Sequence, residues 1–116
     1  MGAPFVWFDL TADEGAKARD FYEQLLGWSF MAGPGDDDAW MSDGEQPWAA
    51  ITASGAVPAG RWVPYVTVDD LDAAAKRATR LGGSVVREAT AGPAGTSVII
   101  ADPDGGLVAL FTPAAP

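Results

Sequence analysis

Histidine and cysteine are both absent from this chain of 116 residues. Without cysteine, the chain can form neither disulfides nor thiolate metal sites. Without histidine, Ser-His-Asp and Cys-His nucleophilic sites are excluded, and zinc or non-haem iron would lose the imidazole ligand that such sites normally use. Any metal would need carboxylates alone, so the composition favours a hard cation or no metal.

Positive charge is scarce as well, because seven Lys and Arg face 16 Asp and Glu, for a net charge of −9. Nucleic acid and anionic membranes would be repelled, so neither is an expected partner. No apolar run approaches the roughly 20 residues of a membrane span, and residues 1–4 lack the basic start of a signal peptide. We therefore expect a cytoplasmic location.

Apolar residues are well represented, at 48% of the chain, with five Trp and five Phe. A chain of this length can bury a sizeable core without disulfides or a structural metal, and its aromatic content argues against disorder. The sequence therefore predicts one globular domain over 1–116.

An internal repeat organises that domain. The extended segment Phe5–Thr11 leads through an acidic turn into a helix that ends at Leu26-Gly27. Further along, Trp62–Val68 leads through a second acidic turn into a helix that ends at Leu81-Gly82. A repeat of this kind indicates two similar supersecondary units.

Each helix carries an apolar stripe that we expect to pack against a sheet. The first stripe contains Ala18, Phe21, Tyr22, Leu25 and Leu26. The second stripe is smaller and contains Leu71, Ala74, Ala75, Ala78 and Leu81. For the first helix, Asp13 is the expected N-cap and Gly27 the expected left-handed residue after the C-terminus.

Three short strands are expected after each helix, separated by Gly, Pro and Asp turns. After the first helix they are Trp28–Met31, Ala39–Ser42 and Trp48–Thr52, and after the second Ser84–Glu88, Thr96–Ala101 and Leu107–Thr112. Both halves then read βαβββ, which predicts an α+β fold of two tandem modules. The modules occupy about 4–53 and 61–113, joined by a small, Pro/Gly-rich linker at 54–60.

The ordered set of motifs resembles the vicinal oxygen chelate superfamily, which includes glyoxalases, bleomycin-resistance proteins and ring-cleaving dioxygenases. The resemblance rests on Phe21-Tyr22 with Leu26-Gly27-Trp28, on Val66–Leu71, and on Ala101–Gly105. It implies that the two modules form an open cleft with curved sheets, and that the protein forms a homodimer.

In metal-dependent members of this superfamily, His or Glu occupies the first and last strands of the modules. The corresponding positions here are Trp7 (or Val6, if the count slips by one), Val63 and Ala109, with a fourth within Trp48–Thr52. None of these side chains is a carboxylate or an imidazole. The resemblance therefore implies a metal-free member of the superfamily with no cofactor.

Strand alternation predicts which side chains face the cleft. Along the first strand, Val6, Phe8 and Leu10 share one face, and Trp7, Asp9 and Thr11 share the other. The predicted ligand-binding set is Trp7, Asp9, Trp48, Val63, Tyr65, Leu107, Ala109 and Phe111, with Ala49 replacing Trp48 if the register differs. Such walls suit aromatic or cationic molecules. The alternative is that Trp7, Tyr65 and Trp48 fill a core.

Among the acids, Asp9 is the strongest candidate, because a carboxylate between apolar neighbours can bind a cation or act as a general base. The alternative is that Asp9 pairs with Arg61 or with nearby backbone. Asp36-Asp37-Asp38 is expected to be a solvated loop that could also steer cations, and Asp102 and Asp104 are expected to be turn residues rather than Ca²⁺ ligands.

Three functions fit these observations. The first is metal-independent binding of an aromatic or cationic small molecule, which resembles the bleomycin-resistance proteins. The second is an enzyme: either a glyoxalase-like or dioxygenase-like metalloenzyme, which the vacant ligand positions disfavour, or a metal-independent lyase or isomerase in which Asp9, as the general base, works with Tyr65. The third is a protein-interaction module without a small ligand.

Overall fold

The computed structural model describes residues 4–33 and 39–114. Its helices are α1 (Gly15–Leu26) and α2 (Leu71–Arg80). Its strands are β1 (Phe5–Ala12), β2 (Ser29–Ala32), β3 (Ala39–Ser42), β4 (Pro47–Ala53), β5 (Trp62–Thr67), β6 (Ser84–Gly92), β7 (Gly95–Ala101) and β8 (Leu107–Pro113). The acidic run predicted at Asp36–Asp38 lies outside the described residues.

The chain divides into two compact units. The first unit is Trp7–Trp62, and the second is Val63–Pro116 together with Met1–Val6. Strands follow the order β2-β3-β4-β1 in one half of the chain and β5-β8-β7-β6 in the other. In both halves the first strand pairs in parallel with the last, and the other pairings are antiparallel. The predicted α+β class with two βαβββ modules is confirmed.

In the first unit, the core lies between α1 and one face of the sheet. Its buried members are Leu10, Met41, Ala49 and Ile51. Helix α1 contributes Ala18 and Tyr22, which pack against these residues. Strand pairing explains the arrangement, because Leu10 lies beside Ile51 and Met41 beside Ala49, and side chains in register share a face.

The apolar stripe predicted for α1 is only partly correct. Phe21, Leu25 and Leu26 remain 58%, 62% and 51% exposed, whereas Ala18 and Tyr22 pack inward. The residues of α1 that pack against the core, Ala18 and Tyr22, are four apart along the helix, so the buried stripe of α1 is one row wide. Phe21 instead meets the ring of Tyr22 edge-on, with 5.1 Å between ring centroids.

The predicted cap at Asp13 is wrong, whereas the predicted helix stop is confirmed. Residue Glu14 takes the N-cap position without a side-chain hydrogen bond, and the Asp13 carboxylate accepts a hydrogen bond from the Ser54 hydroxyl instead. At the other end, Gly27 adopts φ = 70° and its N–H donates to the Glu23 carbonyl at 2.9 Å. Only glycine adopts this left-handed conformation without strain.

Helix α2 of the second unit begins at the predicted acidic turn and ends before the predicted glycine. The Asp70 carboxylate accepts a hydrogen bond from the Ala73 N–H at 3.0 Å, and Gly82 follows the helix with φ = 97°. Leu81 is the exception within the predicted stripe, since it is 66% exposed. The Asp102 carboxylate accepts hydrogen bonds from the N–H groups of Asp104 and Gly106 at 2.9 Å, so it belongs to the β7–β8 turn.

The linker is attached to the first unit. The Thr11 hydroxyl is buried, donates to the Pro58 carbonyl at 2.6 Å and accepts from the Arg61 N–H at 3.1 Å. Backbone bonds join Thr11 to Gly60 and Arg61 as well, and Val57 is 4% exposed. The linker therefore packs along β1. No helix among the described residues is long and apolar enough to cross a membrane.

Candidate functional site

Trp7 and Asp9 lie on the sheet face of the first unit that is turned away from α1. Asp9 is in register with Ala50, which pairs with Trp40, so these side chains share a face. The Trp7 indole Nε1–H donates a hydrogen bond to Asp9 Oδ1 at 2.9 Å. Its ring meets Trp40 edge-on at 6.2 Å between centroids.

These side chains form an aromatic surface with an oriented acid. Trp7, Asp9 and Trp40 are all half-buried. The indole donor fixes the carboxylate next to two ring systems that can stack on a planar molecule or attract a cation. Trp40 was not part of the predicted set, because its four-residue strand is too short for alternation to show which face it occupies.

Trp48 lies apart from Trp7 and Asp9, on the opposite face of the same sheet. Between Met41 and Ser42 of β3 the register with β4 shifts, so that Met41 pairs with Ala49 but Ser42 pairs with Pro47. Trp48 is the extra residue of this β-bulge, and a bulge re-aims a side chain. Its indole contacts Trp28 edge-on at 4.9 Å between centroids.

Around Trp48 the first unit has an aromatic recess of about 350 Å³, lined by Phe8, Trp28, Trp48 and Trp62. Tyr22 stacks on Trp28 with 5.0 Å between centroids and a 13° angle between the rings. Phe8, Trp28 and Trp48 also pack against the buried core of this unit. The alternative interpretation of Trp48, that it fills a core, agrees with this position.

The predicted residues of the second unit share one sheet face. Tyr65 pairs with Ala109 and Thr67 with Phe111, and the rings of Tyr65 and Phe111 lie 6.0 Å apart, edge to face. Leu107 lies on this face by alternation along β8. Val63 and Ala109 have no exposed surface, whereas Tyr65, Leu107 and Phe111 are half-buried. The three half-buried side chains are the accessible part of this set.

A base shares this face, and the sequence interpretation missed it. Val85 pairs with Ile100, but Arg87 pairs with Ile99, so Val86 is an extra residue that turns Arg87 to the other side of the sheet. Arg87 Nη2 donates a hydrogen bond to the Ser97 hydroxyl oxygen at 2.6 Å. An uninterrupted strand would have given Arg87 the opposite face, so no pattern in the sequence could have found it.

Among the described residues, the positions that the superfamily resemblance associates with metal ligands do not fit a divalent ion. Across 4–33 and 39–114, no three His, Cys, Asp or Glu side chains come close enough to hold an ion. Trp7, Val63 and Ala109 have no metal-binding atoms in their side chains. The sheet face of the first unit combines aromatic rings with an acid, and that of the second unit combines aromatic rings with a base.

A family model described as a glyoxalase-like domain matches residues 6–111. The chain is 32% identical to the Mycobacterium bovis protein named "Putative glyoxylase CFP32", over 90% of this chain and 44% of that protein. It is 35% identical to the anthracycline biosynthesis protein DnrV of Streptomyces peucetius, over 85% of this chain and 38% of that protein. It therefore spans less than half the length of these curated relatives.

A solved structure shows the same fold. It belongs to a glyoxalase/bleomycin resistance protein/dioxygenase superfamily member from Vibrio splendidus, with a TM-score of 0.61, 12% identity, and coverage of 90% of this chain and 95% of that one. The match over 6–111 and the paired βαβββ modules agree on one family. The chain belongs to the glyoxalase-like domain family of the vicinal oxygen chelate superfamily.

Proposed function

We propose that this protein binds a planar aromatic small molecule without a metal. The observation that carries the proposal is the half-buried Trp7–Trp40 pair beside the Asp9 carboxylate. Ring faces recognise planar molecules by stacking and by burial of apolar area. The Streptomyces relative is named for anthracycline biosynthesis, and anthracyclines are planar polycyclic aromatics.

Ligand titration with a Trp variant tests this proposal. We expect calorimetry to detect saturable binding of planar aromatic probes such as 2-naphthamide. Trp7→Ala should weaken probe binding about tenfold or more, because the stacking of a planar ring on an aromatic side chain contributes roughly 1–3 kcal/mol. The matched control is Trp62→Ala, which removes a ring on the other face of the first unit. Equal losses in both variants, or no binding of any probe, would overturn the proposal.

Metal content is a separate measurement. Protein purified without chelators should carry no stoichiometric divalent ion by mass spectrometry, because the first-strand and last-strand positions lack donor atoms. One bound ion per chain that survives dialysis would contradict the metal-independent part of the proposal while leaving aromatic binding intact.

Asp9 makes cationic aromatics a second ligand class. Its carboxylate is half-buried and oriented by the Trp7 indole. We expect Asp9→Asn to weaken binding of 2-naphthylmethylammonium far more than that of 2-naphthamide. Unchanged affinity for both probes would remove Asp9 from the site.

A lyase or isomerase with Asp9 as the general base is the second candidate function. The fixed orientation of the Asp9 carboxylate favours it, since a base must be held in position to remove a proton. For a bound ligand with an acidic C–H bond, deuterium exchange in D₂O would reveal such an activity. It should disappear in Asp9→Asn while binding persists; exchange that survives the substitution would exclude Asp9 as the base.

The homodimer, the cytoplasmic location and the cleft between modules stay predictions. Light scattering measures the first of these. The exposed side chains of Phe21, Leu25 and Leu26 on α1 are an apolar surface whose burial would favour self-association. A mass of one chain at tens of micromolar would contradict a homodimer.

A further inference from the structure

Arg87 differs from every other base in the chain. The other six Lys and Arg residues are exposed, whereas Arg87 is half-buried on a sheet face. That position follows from the bulge at Val86, which gives Arg87 the face of Ile99. Bulges of this kind are often found next to functional sites, where they re-aim one side chain.

Within residues 4–33 and 39–114, no carboxylate forms an ion pair with Arg87. Its hydrogen bond to Ser97 uses one of five N–H donors. In the two described segments of the chain, the ion pairs involve Lys17, Arg19 and Lys76, and none involves Arg87. The same segments contain no buried nitrogen without a partner, so the other N–H groups of Arg87 can be reached from solvent.

The surroundings of Arg87 combine this charge with aromatic rings. Ser97, its partner, is in register with Phe111, and Phe111 meets the ring of Tyr65 on the same face. A partly desolvated guanidinium is stabilised by a carboxylate more than by a neutral group, and its planar fork fits a carboxylate with two hydrogen bonds. Rings on the same sheet face as the guanidinium complement the aromatic body of a ligand.

We propose that Arg87, held by Ser97, binds the carboxylate of an aromatic acid. The proposal goes beyond the proposed function: it assigns to the second unit a ligand class of its own, aromatic molecules that carry a carboxylate. In a chain with a net charge of −9, an anion needs a local cation of this kind. The charged group on the sheet face of the first unit is the acid Asp9, which accepts a hydrogen bond from Trp7 and would repel an anion.

Paired probes separate charge from ring recognition. Calorimetry would compare 2-naphthoate with its neutral isostere 2-naphthamide, for the natural protein and for Arg87→Gln. The natural protein should bind the acid about tenfold or more tightly than the amide, as expected for hydrogen bonds to a charged group. Arg87→Gln should abolish this preference and leave the affinity for the amide unchanged. Arg77→Gln, which removes an exposed base of the same unit, is the matched control.

Two outcomes of this comparison would overturn the proposal. One is equal binding of the acid and the amide by the natural protein, and the other is an equal loss of preference in Arg77→Gln. Arg87→Lys guards against misfolding, because it keeps the charge and should retain part of the preference for the acid.

A second readout distinguishes this inference from the proposed function. The Arg87 Nε–H signal in NMR spectra of the natural protein should shift saturably with sodium benzoate and not with sodium chloride. If no naphthyl probe binds but this shift occurs, the carboxylate site stands and the proposed function fails. If the signal does not respond to benzoate, the carboxylate site is excluded.

Discussion

The two units repeat one βαβββ topology, but they place their bulges differently. In the first unit, the extra residue is Trp48 of β4, and it joins the aromatic recess and core beside α1. In the second unit, the extra residue is Val86 of β6, and its neighbour Arg87 turns to the face of Tyr65 and Phe111. One inserted residue changes a side chain's face without changing the topology, so repeated modules can acquire different chemistry at little structural cost.

The units also differ in how a charged group on the sheet is stabilised. The first unit has an acid, Asp9, which accepts a hydrogen bond from an indole. The second has a base, Arg87, which donates to a serine hydroxyl. The two copies of the scaffold therefore present charges of opposite sign on their sheet faces.

The largest expected difference between the units concerns their cores. Met41 and Val63 are the largest side chains with no exposed surface, one in each unit. Met41→Ala should lower the free energy of unfolding by about 2–5 kcal/mol through lost burial and a residual cavity. Val63→Ala removes less volume and should cost roughly 1.5–2 kcal/mol. Urea denaturation measures both, and a larger effect at Val63 would show that the second unit contains the tighter core.

The two faces of the first unit should respond differently to loss of a Trp. Trp48→Ala should destabilise the protein by about 3 kcal/mol, the lower end for buried aromatics, because Trp48 is half-buried. Trp48→Phe should recover more than half of this loss and leave affinity for 2-naphthamide unchanged. If Trp48→Phe instead abolishes binding at unchanged stability, the aromatic recess is the ligand site and Trp7 is not.

The helix caps offer a smaller contrast. Asp70→Ala should lower the free energy of unfolding by about 1 kcal/mol, because it removes the hydrogen bond to the Ala73 N–H. Glu14→Ala should change it by less than about 0.5 kcal/mol, because Glu14 makes no capping bond and its ion pair with Lys17 is exposed. Equal effects in thermal unfolding would mean that α1 is capped in solution.

The smallest expected effect depends on pH and involves the β3–β4 turn. Hydrogen bonds from the N–H groups of Gln46 and Glu45 lower the pKa of Asp43 below 3.8. A lowered folded pKa contributes stability above the unfolded pKa, and this contribution is lost as pH falls through the folded pKa. Below pH 4, unfolding of the natural protein should therefore approach that of Asp43→Asn. A gap between the two that widens on acidification would contradict this assignment.

Most of the fold could be predicted from sequence because its signals are local. Alternation in β1, the glycines after both helices and the Asp102 turn each depend on neighbouring residues, and the structure bears them out. The N-terminus of α1 could not be predicted in the same way, because Asp13 is engaged by Ser54, which is distant in sequence. The exposure of Phe21 and Leu25 likewise depends on how much of α1 the sheet reaches.

The candidate site was less predictable for a physical reason. Alternation identifies a face only while register is continuous, and it is interrupted at Trp48 and at Val86. The predicted face of Asp9 agrees with the pairing of β1 and β4, because that ladder is uninterrupted from Phe8 to Ala12, and the hydrogen bond from Trp7 to Asp9 keeps Trp7 on the same side. Trp40 and Arg87 were missed because one lies in a very short strand and the other follows a bulge.

The hydroxyl of Thr11 determines where this repeat can be divided. Its bonds to Pro58 and Arg61 attach the Pro/Gly-rich segment to β1, so that segment belongs to the first copy. A half-length protein that ended at Ser54 would lose these partners and leave a buried hydroxyl unsatisfied. One that ended after Trp62 would keep them. An ancestral duplication, or a modern attempt to express the halves separately, would therefore need a junction after Arg61, just beyond the Pro/Gly-rich segment.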